Sequence, residues 1–94
     1  MRIYELEVRA SATKDLAGLP PRQRDRIALR IDGLITDPLP PQSAPLHGQL
    51  HGSRRLRVGR YRVGYTINAK AGLIVVWAIG PRESFYALAR QRVE

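Results

Sequence analysis

The chain has 94 residues, no cysteine, and sixteen basic residues against eight acidic ones, for a formal net charge of +8. That length suits a single domain, residues 1–94, with one modest core, and the lack of cysteine excludes a disulfide framework or a thiolate metal site. No apolar run reaches the roughly eighteen residues of a membrane span and no charged-then-apolar leader opens the chain, so a cytoplasmic protein with no membrane partner is expected. Fourteen of the sixteen basic residues are arginine. The planar, permanently charged arginine fork suits phosphate better than a lysine point charge does, so the balance points to a nucleic acid or an acidic protein as partner.

The stretch RIYELEV (2–8) alternates, with Tyr4, Leu6 and Val8 on one face and Ile3, Glu5 and Glu7 on the other, the period of a half-buried strand. Ser11 is placed to N-cap a short helix through Leu16, which GLPP (18–21) ends, and Pro21 suits the first turn of a second helix. In RQRDRIALRIDGLITD (22–37) the apolar residues Ile27, Ala28, Ile31, Leu34 and Ile35 form one stripe, while Arg22, Asp25, Arg26, Arg30 and Asp32 take the other side. Gly33 within that helix costs about 1 kcal/mol against alanine, and Asp37-Pro38 stops it. The proline- and glycine-rich PLPPQSAPLHGQLHGS (38–53) is expected to be irregular, a long partner-facing loop anchored only by Leu39, Leu46 and Leu50. A hairpin over 54–65 follows, then GLIVVWAIG (72–80), apolar on both faces as a central strand is. RESFYALARQRV (82–93) ends the chain with a helical turn or two, Phe85, Leu88 and Ala89 facing inward. The order β-α-α-β-β-β-α predicts an α+β domain: a small, mostly antiparallel sheet with an N-terminal helical hairpin packed on it and a short C-terminal helix.

The hairpin segment RRLRVGRYRVGY (54–65) sets five arginines into twelve positions. Gly59-Arg60 suits a two-residue type II′ turn, which wants glycine at its first central position. Such a turn pairs Val58 with Tyr61, Arg57 with Arg62, Leu56 with Val63 and Arg55 with Gly64. Leu56, Val58, Tyr61 and Val63 then share one face, and Arg55, Arg57 and Arg62 share the other, with Gly64 leaving room beside them. Like charges opposite each other in a ladder repel, and no carboxylate lies within the stretch, so a site built to receive negative charge is expected there. The plainer alternative is a solvated face whose arginines splay apart in water. The next strand ends at GPRESFY, which delivers Arg82 and Tyr86 close to the end of the sheet. No Ser-His-Asp set, phosphate-cradling glycine loop or metal-ligand cluster is visible; His47 and His51 stand i, i+4 in a Pro/Gly loop without a helix or nearby carboxylates, a poor zinc site. What remains is cations plus a phenol: groups suited to clamping an RNA phosphate, stabilising a pentacoordinate transition state and stacking on a base. RNA supplies its own nucleophile in the 2′-hydroxyl.

The run LHG…RRLRVGRYRVGYTI…IVVWAIGPRESFY, with SATKDLAGLP upstream, resembles the RelE/ParE superfamily of bacterial toxins from type II toxin–antitoxin systems, over nearly the whole chain. The resemblance implies the RelE-like microbial RNase fold and, for the RelE-like branch, a metal- and cofactor-independent endoribonuclease that enters the ribosomal A site and cuts mRNA by 2′-OH attack, inhibiting translation. Arg55 and Arg57 fall where relatives place two basic residues, usually including lysine. Arg62 matches the arginine of a Tyr-Arg pair proposed to stabilise the transition state, and Arg82 the arginine associated with the leaving 5′-oxygen. Tyr86 matches the tyrosine that stacks on or positions the nucleotide. The implied catalytic set is therefore Arg57, Arg62, Arg82 and Tyr86, with Arg54, Arg55 and Arg60 as RNA-binding residues. Two departures bear on proton transfer. Arg57, a permanently charged guanidinium, is a poor general base, and Pro81 stands where many relatives carry histidine. Glu83, Tyr86, the loop histidines or groups of the ribosome are the alternatives. The implied partners are a cognate antitoxin, in a hetero-oligomer, and the ribosome with its mRNA. The rival reading is the ParE-like branch, of the same fold, which poisons DNA gyrase; a third is a non-catalytic RNA- or protein-binding module.

Overall fold

The N-terminal alternation produces a strand, β1 (Glu5–Val8), followed by α1 (Ala10–Ala17), α2 (Pro21–Gly33), β2 (Ser43–Pro45), a 3₁₀ turn (Gly48–Leu50), β3 (Ser53–Val58), β4 (Tyr61–Asn68), β5 (Leu73–Pro81) and α3 (Arg82–Arg92). These elements are those of a computed structural model, which describes residues 3–92; Arg2 of the expected first strand and Val93 of the expected tail lie outside the described residues. The five strands form one sheet in the order β1-β5-β4-β3-β2. β1 runs parallel to β5, and the other neighbours are antiparallel. The domain is α+β, as expected. Among the described residues no helix is long and apolar enough to cross a membrane.

The sheet is covered on both sides. On one side Ala12, Ile27, Ile31 and Leu34 of the helical hairpin bury Leu56, Val58, Val63, Tyr65, Ile74, Val76 and Ile79. These are the helical stripe and the strand alternation meeting face to face. On the other side α3 lays Phe85 and Ala89 over Ala78, with Leu46 and Leu50 from the long connection completing a second, smaller cluster. The all-apolar β5 thus serves two cores. A one-residue register shift between the pairs Gly64↔Ala78 and Tyr65↔Val76 leaves Trp77 as the extra residue of a bulge in β5.

Several local expectations are corrected. Ser11 is not the N-cap: the chain is still extended at Arg9, whose N–H is bound to the Val76 carbonyl, so α1 begins one residue before the serine. The Ser11 hydroxyl instead donates to the Trp77 carbonyl at 3.5 Å. Gly33 closes α2 rather than interrupting it; Leu34 and Ile35 continue in tighter turns, with their N–H groups on Ile31 and Asp32, and Leu34 stays buried. The segment 38–53 is not wholly irregular, since Ser43–Pro45 adds an edge strand to β3 with Ala44 opposite Arg55. Proline is tolerated there because an outer edge strand needs no N–H on its free side. α3 runs eleven residues, longer than a turn or two.

The far end of α3 is tied down by a charge pair. Arg92 reaches both carboxylate oxygens of Asp15 on α1, at 2.6 and 2.9 Å, and donates to the Trp77 carbonyl at 3.0 Å. Asp15 also accepts the N–H of Ile79 at 3.0 Å. β1 pairs β5 only as far as Val76, so Ser11, Asp15 and Arg92 take over the edge hydrogen bonds that a longer β1 would have made.

Candidate functional site

The arginine-rich hairpin folds in the expected register: Val58↔Tyr61, Arg57↔Arg62, Leu56↔Val63 and Arg55↔Gly64. Gly59 has φ +59° and among the described residues no non-glycine residue has positive φ, the pattern of a type II′ turn. β3 and β4 therefore present Arg55, Arg57 and Arg62 on the face that also carries α3. The backbone N–H of Arg82 donates to the Arg60 carbonyl at 2.8 Å, which fastens the start of α3 to the hairpin turn. A Cβ on Gly64 would lie 3.1 Å from the Phe85 ring and 3.3 Å from Trp77. The room this glycine leaves is thus filled by the helix, not by the arginines, and it brings the next residue, Tyr86, alongside them.

Arg62 is the unusual member. Only 8% of it is exposed, although it lies on the polar face of the hairpin. One terminal nitrogen of its guanidinium donates to the carbonyls of Gly59 at 3.1 Å and Tyr61 at 3.0 Å, so the group is folded back and clamped by its own turn. Burial, followed by the charges of Arg55 and Arg82, holds Arg62 below the ordinary arginine value; Tyr86 pulls the other way, and Arg57 adds to the depression. Those four residues are therefore its electrostatic neighbours, two from β3 and two from α3. The ion pairs of the described residues are Arg9–Glu7, Arg24–Asp25 and Arg92–Asp15, and none involves this cluster. A clamped guanidinium with free donors, ringed by further cations, is arranged to stabilise negative charge that develops on a bound group.

The structure thus brings together Arg55, Arg57, Arg62, Arg82 and Tyr86. Arg60 lies exposed at the turn and lines a small cleft of about 220 Å³ with Gly59, Arg82 and Glu83. Arg54 does not join them. It faces the helical-hairpin side, paired with Tyr65, and donates to the Ser43 hydroxyl at 3.0 Å. The loop histidines separate in part: both line a cavity with Arg54 and Ile67, whereas His47 but not His51 also lines one with Arg55 and Tyr86. Arg90 was missed. It lies one turn after Tyr86 on α3 and lines the same cavity as Tyr86; an i, i+4 reading of the tail as a full helix would have found it. The burial of Arg62 had no local signal, because α3, which contributes to it, follows twenty residues later.

Comparisons with known proteins give a consistent result. The family model described as ParE toxin of the type II toxin–antitoxin system parDE matches residues 6–86. The chain is 30% identical over 86 residues to RelE1 of Methanocaldococcus jannaschii, covering 88% of this chain and 94% of the relative. Among solved structures it is similar to a chain of the RelBE2 toxin–antitoxin complex of Mycobacterium tuberculosis, with a TM-score of 0.78, 28% identity, and coverage of 85% of this chain and 99% of that one. It is similar also to a chain of the archaeal RelE–RelB complex of Pyrococcus horikoshii, with a TM-score of 0.74, 29% identity, and coverage of 85% and 96%.

Proposed function

The chain belongs to the RelE/ParE superfamily of type II toxin–antitoxin toxins, and from that premise we propose that it is a ribosome-dependent endoribonuclease that cuts mRNA in the A site. The observation that carries this reading is Arg62, buried and clamped by two carbonyls amid Arg55, Arg57 and Arg82 with Tyr86 beside it. In the reaction the 2′-oxygen of one nucleotide forms a bond to the adjacent phosphorus and the bond from phosphorus to the 5′-oxygen breaks. The 2′-hydroxyl loses a proton, and the leaving oxygen gains one. Negative charge accumulates on the non-bridging oxygens in between, and Arg62 with Arg57 is suited to bind it. Arg82, at the start of α3, is suited to the charge on the leaving oxygen. Neither step needs a metal. Arg57, a permanent cation, cannot serve as the base, so Tyr86 is assigned the proton transfer at the 2′-oxygen. Its phenol oxygen takes the 2′ proton while its own passes to solvent, which returns one to the leaving oxygen. RelB-type partners in the M. tuberculosis and P. horikoshii complexes support a cognate antitoxin for this chain, an acidic amphipathic segment complementary to its +8 charge.

A ParE family model matches most of the chain, which favours gyrase inhibition as the second reading. Expression without an antitoxin separates the two. The nuclease reading expects translation to stop, with mRNA cut inside translated regions. Continued protein synthesis with accumulating DNA breaks and an SOS response establishes the gyrase reading instead.

A further inference from the structure

Two of the clustered arginines rest on main-chain oxygens. Arg62 is clamped by the carbonyls of Gly59 and Tyr61. Arg55, on the neighbouring strand, donates from one terminal nitrogen to the Gln42 carbonyl at 3.4 Å. The same oxygen accepts the backbone N–H of Arg57 at 3.0 Å, and a carbonyl with two lone pairs serves both. Gln42 stands one residue before β2. It is the third residue of a turn over Pro40–Ser43, closed by the Ser43 N–H on the Pro40 carbonyl at 2.9 Å. Pro41 takes the second position, where its fixed φ is pre-set for a turn. From the other side of the sheet α2 reaches this turn: Arg30, partly exposed, donates to the Gln42 side-chain oxygen at 3.2 Å.

Arg55 and Arg62 repel each other, and an arginine side chain has wide rotamer freedom. Unrestrained, the Arg55 guanidinium would swing outward into water. A fixed acceptor confines it before any ligand arrives, so less ordering remains to be done on binding. We infer that Arg30 is a positioning residue for the phosphate-binding face: through the Gln42 side chain it holds in place the carbonyl on which the Arg55 guanidinium rests. The contacts run from Arg30 of α2 to the Gln42 carboxamide, and from the Gln42 carbonyl to Arg55 of β3. The inference rests on the ribonuclease reading for the ligand that Arg55 meets, an RNA phosphate, and on the hydrogen bonds alone for the tether. Arg30 itself does not touch the RNA.

The test compares Arg30→Ala with Gln42→Ala in the full chain. Gln42→Ala keeps the main-chain carbonyl and the net charge and removes only the acceptor for Arg30, so the two variants should behave alike. By nuclear magnetic resonance of arginine-labelled protein, the order parameter of the Arg55 Nε–H vector should fall in both. In single-turnover cleavage, half-saturation should need about three- to tenfold more programmed ribosome, with the saturating rate near wild type. Combining the two substitutions should add nothing beyond either alone. The rise should vanish in an Arg55→Ala background, and Arg30→Lys, which keeps a donor, should restore half-saturation toward wild type. Variants that unfold at lower urea yet leave half-saturation and Arg55 mobility unchanged overturn the positioning role. An effect in Arg30→Ala that Gln42→Ala lacks, or one that persists at full size without Arg55, means that Arg30 meets the RNA by its own charge and overturns it too. A wild type that cuts no mRNA overturns the ribonuclease reading; a fall in the Arg55 order parameter in both variants then still supports the tether.

Discussion

A guanidinium carries five N–H donors in a planar fork, and Arg62 commits one nitrogen to its own turn, leaving the rest of the fork for a ligand. Its depressed pKa means that the charged form is less favourable in the folded chain than in the unfolded one. Arg62 therefore opposes folding wherever it is charged, and that opposition lifts only as pH rises through its lowered value, in the alkaline range. Arg62→Ala should accordingly show two nearly offsetting effects on stability, lost hydrogen bonds against relieved repulsion, for a net change within about 1 kcal/mol by urea denaturation. Single-turnover cleavage should fall by about 10²–10³. An Arg62→Ala protein that melts normally and cuts at the wild-type rate removes the catalytic role. Tyr86 is separable in the same way. If the phenol moves the proton, Tyr86→Phe should lose about 10²–10⁴ in single-turnover rate, nearly as much as Tyr86→Ala. If Tyr86 acts only by stacking, phenylalanine should retain most of the rate.

At the scale of elements, the site depends on how closely α3 approaches the sheet, and Gly64 sets that distance. Adding a methyl group there meets two packed rings, Phe85 and Trp77, and overpacking of this kind costs about 1–3 kcal/mol. Gly64→Ala should also lift the helix that carries Tyr86, so cleavage should fall further than the stability loss explains. Leu56→Ala is the control, since Leu56 is fully buried on the opposite face among residues of the helical hairpin. It should cost about 2–5 kcal/mol yet leave the rate near wild type well below its melting temperature. Equal activity of the two variants when both are folded means that Gly64 acts on stability alone. The hairpin register was legible in the sequence because a Gly-first turn and strict alternation determine every pair from Arg55 to Gly64. β2 was not legible, because three residues ending in proline carry no period and pair only once β3 is in place. α3 read as a turn or two because its apolar residues are few; Phe85 and Ala89 are its fully buried members, and only tertiary contact with Ala78, Leu46 and Leu50 shows why the helix is stable.

At the scale of the whole molecule, the charge of +8 is unevenly used. Arginines are distributed over both faces of the sheet, yet those of one face converge around Arg62 while Arg54 on the other is bound to Ser43 beside Tyr65. Composition shows that a polyanion is the expected partner; it does not show which arginines meet it, because neighbours in sequence such as Arg54 and Arg55 point to opposite sides of a strand. Salt dependence resolves the two sets. Each phosphate neutralised by a side chain releases condensed counterions, so binding to a single-stranded RNA or to ribosomes should weaken steeply with salt. Arg57→Ala, which removes an exposed cation facing Arg62 across the ladder, should flatten the slope of log K against log salt by roughly one unit. Arg54→Ala should leave that slope unchanged, and what it affects should be the seating of β2 through the lost bond to Ser43. Equal flattening by both variants means that the RNA contacts both faces of the hairpin, passing around the β2 edge, and the site then extends beyond the cleft under α3. An unchanged slope in Arg57→Ala means that its guanidinium remains in water when RNA binds, which removes the hairpin face as the docking surface.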